Sequence, residues 1–113
     1  MPDESFEELW QQAGGPELVV LHSLFGGSVL PMVAVREVLG LTLEQLRTSC
    51  EAARRVGLIE TTDEEITFMK FPADSGQGAR LEWCLEPHLT ALPAVEAKIK
   101  SRLLLRFLGS APR

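Results

Sequence analysis

VREVLGLTLEQLRTSCEAARRVGLIE, residues 35–60, is the stretch that decides the fold. Thr42 followed three residues later by Gln45 has the spacing of a capping box, in which each side chain accepts a bond from the other residue's backbone N–H. Behind that cap, Leu46, Cys50 and Ala53 recur at helical spacing and Val56 continues them. They make an inward stripe, flanked by Arg47, Thr48, Glu51, Arg54 and Arg55. Gly40 permits a tight turn between this helix, Leu43 to Val56, and a preceding one, Met32 to Leu39. Gly57 stands where the second helix must stop, a position that favours a left-handed backbone. Leu58 and Ile59 then open a strand.

Working outward, the acidic turn TTDEE (61–65) leads into EITFMKF (65–71), which has strand composition, as does RLEWCLE (80–86). In the latter, Leu81, Trp83 and Leu85 alternate with Arg80, Glu82, Cys84 and Glu86, as in a sheet buried on one side. PADSGQGA (72–79), between them, reads as a hairpin tip, and Pro87 closes the second strand. Toward the N-terminus, Ser5 with Glu8 predicts a capped helix from Phe6 to about Gln12. Gly14-Gly15 ends it, and Pro16 suits the first position of a second helix that runs to about Phe25. Leu18, Leu21 and Phe25 share one face of it, with Val19 nearby. Gly26-Gly27 stops that helix, and SVLP (28–31) is expected to form a short extended piece. The last element is a Leu-rich helix from Pro93 to about Leu108. There are no internal repeats.

A chain of 113 residues accommodates one compact domain. Its parts are an N-terminal helix (4–13), a core (16–87) and a C-terminal helix (91–109). No apolar run is long enough to cross a bilayer, and MPDESFEEL is acidic where a signal peptide needs positive charge. A cytoplasmic location is expected, with Cys50 and Cys84 as reduced thiols. The net charge of −5 is unevenly spread: residues 91–113 hold five bases against one acid, and residues 61–90 hold six acids against two bases. A nucleic-acid binder concentrates positive charge on its reading face, so this distribution matters below.

The run LGLTLEQLRTSCEAARRVGLIE, with a hairpin to follow, resembles the winged helix-turn-helix of bacterial regulators of the MarR, ArsR and PadR type. The shared features are the Gly40 turn, Thr42 as cap, the core positions Leu46, Cys50 and Ala53, and the exit Arg55-Val56-Gly57-Leu58-Ile59-Glu60. The resemblance implies an α+β fold over Met32 to Leu85: a three-helix core with a two- or three-stranded β-wing, plus N- and C-terminal helices. It makes Leu43 to Val56 the recognition helix, its N-terminal half entering the major groove of double-stranded DNA. Thr42, Gln45, Arg47, Thr48 and Arg54 are then the DNA-facing residues, with Arg80 the single base near the wing tip. Gln45 suits adenine, Arg47 guanine or phosphate, and Thr48 a backbone oxygen. Leu43, Glu44 and Glu51 depart from this pattern, because carboxylates repel phosphate and Leu offers only apolar contact. The resulting expectation is a DNA-binding transcriptional regulator. The alternative is a winged-helix protein-interaction module that binds through Leu43, Glu44 and Glu51 and does not bind DNA.

Other chemistry has little to work with. His22, His88, Cys50 and Cys84 are metal-ligand types, but their spacing fits no common zinc pattern, and no metal or other cofactor is expected. Cys50 reads as a small core hydrophobe. Cys84, on the polar face of its expected strand, has no cationic cluster nearby in sequence to activate it. GGPEL and FGGS are glycine pairs at helix boundaries, not phosphate-binding loops, and Ser23 and Ser28 near His22 read as helix surface and turn, so no enzyme is expected. In the C-terminal helix, Leu92, Val95, Ile99 and Leu103 form one stripe, and Leu104, Leu105, Phe107 and Leu108 add a second apolar surface. That excess predicts a homodimer seam, with Trp10 joining it, in preference to a membrane contact. Lys98, Lys100, Arg102 and Arg106 suit the negative end of the helix dipole.

Overall fold

A computed structural model describes residues 4–72 and 74–110, the last four by their backbone alone. The fold is α+β. The described residues form six α-helices and a small three-stranded sheet: α1 Glu4–Gln11, α2 Gly15–Phe25, β1 Val29–Pro31, α3 Met32–Leu39, α4 Leu43–Arg55, β2 Ile59–Thr61, β3 Glu65–Phe68, α5 Gly76–Leu85 and α6 Leu92–Ser110. A 3-10 turn, Glu86–His88, joins α5 to the segment before α6.

The boundaries of α3 and α4 follow from local chemistry. Thr42 Oγ1 accepts the Gln45 N–H at 3.1 Å, and Gln45 Oε1 accepts the Thr42 N–H at 3.0 Å. Gly40 ends α3, its N–H donating to the carbonyls of Arg36 and Glu37. Gly57 has φ 81°, a left-handed backbone that a side chain resists, and so terminates α4 and releases the chain into β2. Leu46 and Ala53 are fully buried and Cys50 nearly so, as their spacing required. Each large apolar side chain buried in this way stabilises the fold by roughly 1.5–3 kcal/mol.

The sheet has the order β1-β3-β2, antiparallel throughout. Leu30 pairs with Ile66, and Ile59 with Phe68. Ile59, Ile66 and Phe68 face the core while Glu60 and Glu65 face out, so one face is solvated. Pro31 is tolerated because β1 is an edge strand. In the β2–β3 turn, Thr62 Oγ1 accepts the N–H groups of Glu64 and Glu65.

Helix α2 lies at the centre. Leu18 to His22 are five consecutive buried residues, as expected of a helix covered on all sides. α1, α4 and α6 pack around it, and α6 also crosses α3. Where α1 meets α2 the approach is close enough that a Cβ on Gly15 would stand 1.7 Å from the Leu9 carbonyl oxygen. Ser49, buried on α4, donates its hydroxyl to the Ala13 carbonyl at 2.5 Å and so ties α4 to the α1–α2 junction.

Residues 80–86 contradict the expected second wing strand. They belong to α5 and the turn after it, and the expected hairpin tip contains the helix start: Ser75 Oγ accepts the Gly78 N–H at 3.0 Å. Alternation and helical spacing coincide here, because Leu81 and Leu85 fit both periods. The helix turns Cys84 inward, 6% exposed, and leaves Trp83 46% exposed, the reverse of the strand expectation. Both edges of β3 are already taken by β1 and β2, so a further strand has no partner on it. The third strand of the sheet is instead β1, in the short extended piece before α3.

The terminal helices also differ from expectation. Ile99 is fully buried, and Leu92, Val95 and Leu103 pack partly buried on the core of their own chain, so this stripe is not a free dimer seam. Leu104 and Leu105 remain 58% and 66% exposed, while the side chains of Phe107 and Leu108 lie outside the described residues. Trp10 stacks on His88 with ring centroids 4.1 Å apart, and His88 Nε2 lies 2.5 Å from a Glu7 carboxylate oxygen, which fastens the 3-10 turn to α1.

Candidate interaction face

The outward side of α4, the start of α3 and the β2–β3 turn enclose an open groove of about 970 Å³. Its floor and one lip are apolar: Met32 is half-buried, Leu43 is 40% exposed and Val33 is 67% exposed. Arg36, Arg47 and Arg54 line the helical side, with Glu51 among them. Asp63, Glu64 and Glu65 line the opposing turn. The groove thus carries three cations against four carboxylates, a balance in which the acids are gathered on the hairpin.

Residue by residue, the expected DNA-facing set is unevenly placed. Thr42 and Gln45 hold each other in the capping box, and Thr48 Oγ1 donates to the Glu44 carbonyl at 3.1 Å. Arg54 approaches Glu60 at 3.9 Å. Arg47 is exposed on the groove and, among the described residues, makes no ion pair. Arg80 is not at a wing tip at all: it lies on α5 beside Phe6, Val56, Gly57 and Phe71. Of the alternative set, Leu43 and Glu51 line the groove, whereas Glu44 stands exposed in the first turn of α4 outside its lining. Met32, Val33 and Arg36 were missed by the sequence reading, and their only signal was position, since α3 begins where β1 ends.

Electrostatics on the rest of the surface are largely internal. Lys98 pairs with Glu17 at 3.2 Å, Lys100 with Glu96 at 2.8 Å, and Arg106 with Glu37. Arg102 donates to the Val38 carbonyl at 2.9 Å, satisfying an open carbonyl at the end of α3. Arg55 reaches both Glu51 and Glu8. Of the described C-terminal cations, Lys98, Arg102 and Arg106 are thus engaged with α2 and α3, and Lys100 with Glu96 of its own helix. Being exposed, most of these pairs contribute little stability, but they neutralise the field.

The four soft-ligand side chains do not converge. Cys50 sits under α4, where burial pushes its thiol up to about 11 and Arg54 only partly opposes this. Cys84 is buried on α5, His88 is held by Glu7 and Trp10, and His22 lies on α2 against Phe71. Among the described residues no three His, Cys, Asp or Glu side chains gather in a metal-holding group. Nor is any described helix long and apolar enough to cross a membrane.

No known family model matches the chain, and neither do any of the curated proteins or solved structures with which it was compared.

Proposed function

We propose that the chain is a winged helix-turn-helix module that binds a protein segment in the groove between α4 and the β2–β3 hairpin. The order α2-β1-α3-α4-β2-β3, with β1 at the far edge of the hairpin, is that of a winged helix, the hairpin being the wing. The observation that carries the protein reading is the wing turn, where Asp63, Glu64 and Glu65 stand across from α4. DNA backbones approach a wing closely, and three carboxylates there oppose the phosphate neutralisation that supplies much of DNA affinity. A peptide faces no such penalty. Leu43, Val33 and Met32 offer burial for an apolar anchor, the arginines suit acids on one side of it, and the hairpin suits bases on the other.

One observation favours DNA as a second reading: Arg47 is an exposed, unengaged guanidinium in the first half of α4, suited to a guanine edge or a phosphate. One paired experiment separates the two readings. A random peptide display library is panned on the full chain, and genomic DNA fragments are titrated across a salt series. The expected result is enrichment of peptides with a large apolar residue between acidic and basic flanks, with capture lost in Leu43→Asp while the circular dichroism spectrum is unchanged. Absence of enrichment, together with DNA binding that weakens steeply with salt and is reduced by Arg47→Ala, overturns it in favour of a DNA-binding regulator.

A further inference from the structure

Along the outward side of α5 and the 3-10 turn that follows it, Trp83 is 46% exposed and Leu89 56%, with Pro87 exposed as well. Glu82 and Glu86, also exposed, share that side. Leu85, Glu86 and Leu89 all keep a right-handed helical backbone, so the turn carries the helix on. Glu86 stands three residues from both Trp83 and Leu89, the spacing of neighbours on one face of a helix or 3-10 turn, and Pro87 stands four from Trp83. Glu82 lies one helical turn before Glu86, and like charges at that spacing repel. Among the described residues no ion pair engages either carboxylate; Lys70 shares a cleft lining with Glu82 and does not pair with it. The strand expectation put the indole on the face opposite Glu82 and Glu86, whereas the helix brings it beside them.

A face of this make-up is unbalanced in water. A large indole and a leucine lie uncovered, and two carboxylates repel each other with no cation between them. We infer that this face docks a segment of another protein that carries an arginine next to an apolar residue. The charge selects the partner. Carboxylates repel the phosphates of nucleic acids and the head groups of anionic lipids, which leaves a cationic protein segment. A guanidinium can lie flat on the indole and at the same time fork its N–H groups onto a carboxylate, a combination the ammonium of lysine, a point charge, does not match. The apolar neighbour covers Leu89 and Pro87, around a tryptophan of the kind that interface hot spots favour. Helix α6 supplies no such cation to this face, since Lys98, Lys100, Arg102 and Arg106 are engaged elsewhere. The inference is independent of what α4 binds, because no residue of this face lines the groove beside α4.

The pentapeptide amide Gly-Arg-Leu-Arg-Gly and its counterpart with citrulline in place of both arginines are matched probes, alike in size and differing in charge. Each is titrated into the full chain, following the Trp83 indole N–H and the Leu89 methyl groups by NMR, with the Leu43 methyl groups reporting on the groove. Saturable shifts at Trp83 and Leu89 are expected with the arginine peptide and none with the citrulline peptide. Trp83→Gln, which removes the ring, should weaken the binding read at Leu89 at least about threefold. Glu82→Gln with Glu86→Gln should do the same by removing the charge, and both variants should keep the circular dichroism spectrum of the unmodified chain. Equal shifts with the citrulline peptide overturn the proposal, as does undiminished binding in either variant. Shifts confined to Leu43 would assign the peptide to the acidic wing, which overturns this face and leaves the groove reading standing. Trp83 and Leu89 signals that broaden with protein concentration alone would put a second copy on the face and overturn it equally. No saturable shift at all overturns it too.

Discussion

At His22 an imidazole is held where its charged form is penalised: burial lowers its pKa below the ordinary 6.5, and the Met69 carbonyl offsets this only in part. A histidine with a depressed pKa binds its proton more readily when unfolded, so acid favours the unfolded chain. Its contribution is fully present above about pH 6.5 and is lost as the pH falls through the unfolded value toward the folded one. Urea unfolding at pH 7.5 and at pH 5.5 should therefore show a loss of stability on acidification, with a slope from this group of at most about 1.4 kcal/mol per pH unit. His22→Phe should shrink that loss. An unchanged difference between the two pH values would mean that His22 is protonated or solvated in the native state. None of this was legible from the sequence, in which His22 is one polar residue after the apolar run LVVL.

Among the elements, α5 tests how a short segment chooses its period. RLEWCLE satisfies both a twofold and a 3.6-fold pattern, and the two assignments bury different residues. In the helix, Trp83 faces outward and Cys84 inward. Trp83→Gln is expected to change stability by no more than about 0.5 kcal/mol, as for an ordinary surface position. The strand reading places the indole inside and requires a loss of about 3–5 kcal/mol, so thermal denaturation of this one variant decides between them. The opposite case is α4, where cap, stripe and stop agree, and the helix begins where the sequence reading placed it and ends within one residue of the expected Val56.

For the whole molecule, the outstanding matter is the far end of α6. Ile99 and its stripe are committed to the core, but Leu104 and Leu105 are left in water, and exposed apolar surface of this kind costs about 25 cal/mol per Å² until it is covered. A twofold mate packing there remains the expected remedy. Because α6 completes the core, deleting it would unfold the domain and confuse the test. The surface pair Leu104→Glu with Leu105→Glu is the better probe. Sedimentation of the unmodified chain at micromolar concentration should show a dimer, and the double variant a folded monomer. A monomeric unmodified chain would refute the dimer.

What the sequence determined by itself is the part written in local chemistry. The Thr42–Gln45 capping box, the glycines at 40 and 57, Pro16 in the first turn of α2 and the short strand before α3 each act within a few residues, so each was readable without neighbours. The groove was half legible. Leu43, Arg47 and Glu51 stood on the outward face of a helix whose register was known, while Met32, Val33 and Arg36 joined them only through packing. Tertiary structure alone decided three things. Residues 76–85 became a helix with Cys84 inward, while β1 took the second edge of β3 that a strand there was expected to fill. Lys98, Arg106 and Arg102 found their partners because Glu17, Glu37 and the Val38 carbonyl, more than sixty residues away in the chain, came beside them. And His22 on α2 became buried against Phe71, a residue forty-nine positions further along the chain. A pattern confined to one element can specify that element, but a partner distant in sequence can be chosen only once the chain has closed on itself.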